Sequence, residues 1–269
     1  MTKHQADPEA PEALEHAKLV IAVDGPAGSG KSTAARGAAR ALGLRYLDTG
    51  STYRALTWWL LSNGLDVSDP GAVAACAGRP VIEVGTDPED PAIRVDGTDV
   101  AAPIRTREVS NAVSAVASVP EVRRHLIALQ QEIIADALAA GTGIVAEGRD
   151  IGTAVAPDAP VKVFLTASET VRARRRTAEL ADPTATVAVT RAEQAQRDRS
   201  DAPQMARAAD AVEIDTTALG LDEVIREIVA LAHTARDCAD PGGGSHQPPP
   251  NSANPEDRSP LRKAGAWTT

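Results

Sequence analysis

The sequence predicts an α/β protein in three layers: a central parallel sheet with helices on both faces, an inserted substrate-binding lobe and a mobile lid. Three observations carry that prediction. A short apolar run at 19–23 ends in Asp24 and a turn of small residues, the pattern of a buried strand feeding a loop. Beyond it, apolar strand-like runs alternate with helical runs, as in a parallel sheet covered on both sides. A hairpin-like stretch at about 66–103 interrupts the alternation, and an arginine-bearing segment at about 178–205 precedes the last strand.

The first strand leads into GPAGSGKST, where Gly25, Gly30, Lys31 and Ser32 fit the phosphate-cradling pattern G-x-x-x-x-G-K-[ST]. The chemistry needs these residue types. Gly25, Gly28 and Gly30 let the chain turn tightly, so that the amides of the loop, with Pro26, Ala27, Ser29 and Thr33 completing it, surround an anion. The helix that follows adds its positive end. Lys31 can reach the terminal phosphates of a nucleotide, and the Ser32 hydroxyl can meet Mg²⁺. Of 28 cationic residues only five are lysine, so a lysine at this position stands out against a background of arginine.

Bulk properties bound the rest. A chain of 269 residues is read as one domain at 17–236 between disordered tails at 1–16 and 237–269, both rich in residues that cannot build a core. Aromatic residues make up 2%, so Ala, Val, Leu and Ile must fill the interior. A net charge of −9 argues against nucleic acid or an acidic membrane as partner, and a monomer acting on small molecules is expected. Cys76 and Cys238 stand far apart without metal-ligand neighbours and read as free thiols. With neither a membrane-length apolar run nor a signal-peptide core, the protein is expected in the cytoplasm.

Taken in order, the loop is followed by a helix to Leu42, a strand at 45–48 and a helix at about 51–62, stopped by Asn63-Gly64. Runs at 81–84 and 93–95 form the hairpin of the lobe. Helices at about 105–118 and 121–140 are split by Pro120. Buried strands follow at 143–146 and 161–165, then a helix capped by Thr166 or Ser168, a late strand at 211–214 and a helix at 221–233.

A phosphate loop alone does not distinguish kinases, GTPases and motor ATPases. No N-K-x-D run is present to read guanine, and the strand at 143–146 runs into Glu147-Gly148-Arg149-Asp150, mixing charges where open α/β sheets bind ligands. Arginines recur along the chain at 54, 105, 107, 123, 149, 172, 174, 175, 176, 191, 197 and 199, and are expected to accumulate on that ligand side. Their guanidinium forks suit a second, phosphorylated substrate, and two clamped phosphates amount to phosphoryl transfer. An acceptor that is itself a phosphate monoester needs no general base. These residues leave open whether that acceptor is CMP, UMP, AMP or a small metabolite, or whether the chain only binds nucleotides.

The stretches LDTGSTYR, IRTREVSNAVSAVASVPEVR, EGRDIGT and PDAPVKVFLTAS resemble the bacterial cytidylate kinases, from about residue 18 to about 235. The resemblance implies transfer from ATP to CMP or dCMP, within pyrimidine nucleotide metabolism. It also implies roles. Thr49 and Asp150 would accept from the cytosine amino group, Arg123 would donate to the O2 and N3 side, and Arg54 and Arg149 would hold the acceptor phosphate. Ser114, Arg197 and Asp201 match sugar-side residues. Arg174, Arg176 and Arg197, with Lys31 and Arg149, would neutralise charge during transfer, while Arg107 and Arg124 read as surface or structural. The chain departs from the family after Asp201, where the interval is short, Gln204 occupies an expected arginine position and Arg207 is the nearest replacement.

Overall fold

The computed structural model describes residues 19–179 and 186–239. The expected tails, apart from residues 237–239, and residues 180–185 of the expected lid lie outside the described residues. Five parallel strands form the main sheet: β1 (Val20–Asp24), β2 (Arg45–Asp48), β6 (Ile144–Gly148), β7 (Val161–Thr166) and β8 (Val212–Asp215). Their spatial order is β2-β6-β1-β7-β8, which puts β1 at the centre. The strands are separated by α1 (Lys31–Leu42), α2 (Thr49–Ser62), α4 (Arg107–Ala117), α5 (Pro120–Ala139), α6 (Glu169–Glu179) and α7 (Val187–Asp201), and α8 (Leu221–Ala239) ends the described chain.

Both central strands are buried throughout, yet the period of two still sorts their side chains. Ile21, Val23 and Val145 face α1 and α8, where Ala34, Ala35, Ala38, Ala39 and Ile228 form one core. Val20, Ala22, Ile144 and Ala146 face the other way, onto Ile134 and Ala137 of α5. Small residues on α1 let α8 approach closely: a Cβ on Gly37 would lie 2.3 Å from Ile225 Cδ1.

Residues 66–103 form α3 (Pro70–Cys76) and a three-stranded antiparallel sheet, β3 (Ile82–Val84), β4 (Ile93–Val95) and β5 (Thr98–Asp99). They share a separate core with α2, α4 and α5, built from Leu56, Leu60, Val73, Ile93, Val116 and Leu126. Cys76, buried there, is a free thiol.

Several boundaries differ from expectation. α2 begins at Thr49 rather than near 51, because Asp48 caps it by accepting from Ser51 N at 3.0 Å. Pro120 opens α5 at its first turn, where a missing N–H costs nothing. Ser168 rather than Thr166 reaches the first turn of α6, accepting from Val171 N at 3.4 Å. Helix α8 continues six residues past His233, to Ala239, so residues 237–239 are helical and not tail. Among the described residues, no helix is long and apolar enough to cross a membrane.

Candidate active site

The carboxyl ends of the strands bring the chemistry-bearing residues together. Asp24 of β1 is aligned with Gly148 of β6, and Asp48 of β2 with Glu147, so parallel pairing alone sets three carboxylates along one sheet edge. The loop Gly25–Thr33 leaves that edge into α1. Gly25, Gly28 and Gly30 have φ of 151°, 77° and 88°, values that side-chain-bearing residues avoid. Lys31 leans back over the loop, its Nζ 3.4 Å from Pro26 O. Burial, with Arg149 beside it, pushes the Lys31 ammonium down to about 8, against the pull of Glu147.

Ser32 donates its hydroxyl proton to Glu147 Oε1 at 2.7 Å, and Tyr46 donates to the same oxygen at 3.3 Å. Burial and neighbouring Asp48 push Glu147 up to about 7. Hydroxyl and carboxylates make an all-oxygen donor set, which suits a hard cation such as Mg²⁺. Among the described residues no group of three or more His, Cys, Asp or Glu could hold a metal unaided.

Opposite the loop lies a cluster of guanidinium groups. Arg54 donates to Ile104 O at 3.2 Å and Ser110 Oγ at 2.9 Å. Burial and the fields of Arg197 and Arg176 push it down to about 9. Arg197 is pushed down to about 10 by burial and by Arg149. Arg149 donates from Nη1 to Gly25 O at 2.6 Å and from Nε to Asp201 at 3.1 Å. Asp201 also accepts from Ser114 Oγ at 2.8 Å. Lys31, Arg54, Arg149, Arg176 and Arg197 thus crowd one region in which like charges already perturb one another, an arrangement suited to anions.

The residues expected at a base also meet. Asp150 pairs with Arg123, and the carboxylate raises the Arg123 pKa despite the burial that would lower it. Thr49 gives its hydroxyl proton to Glu147 O at 2.8 Å, which leaves its oxygen lone pairs free to accept. Arg123 and Asp150 offer a donor beside an acceptor, and cytosine presents the complementary set.

Some expectations fall elsewhere. Arg174 is exposed on α6, away from the half-buried positions of Arg54, Arg149, Arg176 and Arg197. Arg207 pairs with Glu213 of β8 at 2.6 Å. Arg191 pairs with Glu169 at 2.7 Å, while Arg107, paired with Glu193, and Arg124, with Glu121 at 4.0 Å, are exposed in keeping with their reading as surface residues.

Other residues hold parts that the sequence did not assign to them. Asp24 accepts from Ile151 N and Gly152 N, each at 2.8 Å, and so holds the chain just past Asp150. Tyr53 has its hydroxyl buried without a hydrogen-bond partner among the described residues, in the field of Asp150 and Arg123. Arg175 binds Ser29 O and Thr216, and Arg172 binds Ala27 O at 3.2 Å, so two lid-side arginines grip the loop's carbonyls rather than a substrate. Only the place of Asp24, directly before the loop, offered a sequence signal.

The model of the cytidylate kinase family matches residues 21–234. A cytidylate kinase of Streptomyces avermitilis is 53% identical over 222 residues, 81% of this chain and 94% of the relative. That of Streptomyces coelicolor is 52% identical over 222 residues, again 81% and 94%. That of Nocardia farcinica is 46% identical over 223 residues, 80% and 93%.

Proposed function

The chain belongs to the cytidylate kinase family, and from that premise we propose that it transfers the γ-phosphoryl group of ATP to CMP or dCMP, yielding ADP with CDP or dCDP. The observation that carries the reading is the half-buried cation cluster beside the glycine loop, together with the Arg123–Asp150 pair. Two phosphate groups meeting there would supply the negative charge that the cluster lacks.

In the proposed roles, the loop amides at Gly25–Thr33 and Lys31 bind the donor phosphates. Arg54 and Arg149 hold the acceptor phosphate; Arg123, Asp150 and Thr49 read the pyrimidine; Ser114, Arg197 and Asp201 lie on the sugar side. An acceptor phosphate oxygen, already anionic, attacks γ-phosphorus while the bond to the β–γ bridging oxygen breaks. Lys31, Arg149, Arg176 and Arg197 neutralise charge on the shifting oxygens. Ser32, with Glu147 and Asp48 behind it through water, would hold Mg²⁺, which neutralises the donor phosphates when bound. A monomer in the cytoplasm, serving pyrimidine nucleotide metabolism, completes the proposal.

The test is ADP release from ATP and Mg²⁺ with CMP, dCMP, UMP and AMP in turn. CMP and dCMP should exceed UMP and AMP in kcat/KM by roughly 100-fold or more, because a buried acceptor facing the uracil carbonyl is left unpaired. Asp150→Asn, which can donate to that carbonyl, should narrow the gap between CMP and UMP. ADP release independent of any acceptor, or equal rates with all four, would refute the assignment.

A further inference from the structure

Helix α7 carries two adjacent stripes of side chains that serve different parts of the site. Thr190, Gln194 and Asp198 recur every four residues and so share a face. That face meets α6 and the apex of the donor loop. Thr177 donates to Thr190 Oγ1 at 2.9 Å, and Gln194 Nε2 lies 3.4 Å from both Ala27 O and Arg172 O. Asp198 accepts from Arg172 Nη1 at 2.7 Å, and the same nitrogen donates to Ala27 O at 3.2 Å. The seating is tight: a Cβ on Gly28 would lie 2.7 Å from Gln194 Nε2 and 2.8 Å from Arg172 O.

The neighbouring stripe, Glu193, Arg197 and Asp201, turns toward the acceptor residues. Glu193 pairs with Arg107 on α4, and Arg197 lies 3.8 Å from Asp201. Asp201 in turn takes Ser114 and Arg149. One rigid helix therefore holds the donor loop by 194 and 198 and the acceptor clamp by 197 and 201.

Stability alone is a poor account of the ionic link at Asp198. Arg172 Nε, Gln194 Oε1 and Asp198 Oδ1 are buried without a hydrogen-bond partner among the described residues. A partly satisfied buried network holds a fold less well than apolar side chains of the same volume. What the link does provide is a fixed distance between Ala27 and the acceptor-side turn of α7.

We propose that Asp198, acting through Arg172, is a positioning residue that couples the two substrates, so that donor phosphates in the loop seat α7 and thereby tighten the acceptor clamp. Linkage makes such coupling reciprocal, and coupling free energies of this kind correspond to factors of about 5–150 in affinity. The inference rests on the reading of Gly25–Thr33 as the donor cradle and of Arg149 with Asp201 as part of the acceptor clamp.

The experiment is calorimetric titration of the full chain with CMP, with and without a saturating non-hydrolysable ATP analogue and Mg²⁺. The unaltered protein should bind CMP about tenfold tighter with the analogue present. Asp198→Asn, which keeps the shape but removes the charge, should bring that factor close to one while the affinity for CMP alone stays within about threefold. A variant that merely loses stability would not erase the factor selectively. Arg172→Lys, whose single ammonium cannot span Ala27 O and Asp198 as the fork does, should weaken the coupling in the same way and serves if Asp198→Asn fails to fold. An unchanged factor in the folded variant, or a factor of one in the unaltered protein, overturns the inference. Failure of the unaltered protein to bind either nucleotide alone would refute the phosphoryl-transfer reading itself, and this inference with it.

Discussion

Asp24 shows how one residue serves fold and site together. Its carboxylate, 4% exposed at the end of β1, takes two amide protons from the turn that carries Arg149 and Asp150. Burial outweighs those two hydrogen bonds, and with Asp150 adding to the rise the pKa moves from 3.8 to about 6. Between these values the folded protein holds a proton that the unfolded chain has lost, so this group's contribution to stability falls as pH rises through the window. Below it the contribution is fully present, and it amounts to at most about 3 kcal/mol. The unfolding free energy of the unaltered protein minus that of Asp24→Asn, from urea titrations, should therefore grow as pH is lowered from 7 to about 4.5. A difference that stays flat would show that Asp24 ionises normally. From the chain alone Asp24 is only an acid before a loop; the pairing of β1 with β6 is what brings Ile151 and Gly152 within reach.

At the scale of elements, local rules did most of the work where the pattern was strong. Gly25, Gly28 and Gly30, assigned to a cradle on spacing, take up the positive φ that such a turn demands. The strands β1 and β6 follow from apolar runs, because a strand covered on both faces needs no polar side, whereas β7, interrupted by Lys162, alternates buried and half-buried side chains. Helix α3 was not foreseen, since seven residues carry too little periodicity to register. Its signal was the cap: Asp69 accepts from Gly71 N at 2.9 Å and Ala72 N at 3.2 Å, with Pro70 opening the helix. Asp69→Ala should cost about 1 kcal/mol in chemical denaturation and leave kcat unaltered, because α3 packs into the separate core of residues 66–103. A loss of turnover without loss of stability would contradict that separation.

At the scale of the whole molecule, the segment at 66–103 is tied to the donor side as well as to its own core. Arg36 of α1 donates to Pro88 O at 2.5 Å and Glu89 O at 2.6 Å, and Arg40 pairs with Glu89 at 2.9 Å. Tyr46 of β2 donates its amide to Thr86 O at 2.9 Å. Arg36 stands one turn beyond Ser32, so the helix that starts at the phosphate loop also anchors the inserted segment. Arg36→Ala should raise amide exchange across 82–99 several-fold while changing global stability by less than about 1 kcal/mol. Unchanged exchange would mean that the segment is held by its core alone.

The amino-acid order by itself determined the phosphate loop, the alternation that makes a parallel sheet and the family, because each rests on residues close together in the chain. The arginines could be counted there, but not sorted. Arg172 and Arg175 grip main-chain carbonyls of the loop, Arg174 faces outward, and Arg54, Arg176 and Arg197 converge, although 172–176 are consecutive neighbours. Only tertiary packing decides between these fates. The direction of a side chain on a helix depends on which face meets α7, and the partners it meets there come from α7 itself and from loop carbonyls more than a hundred residues away.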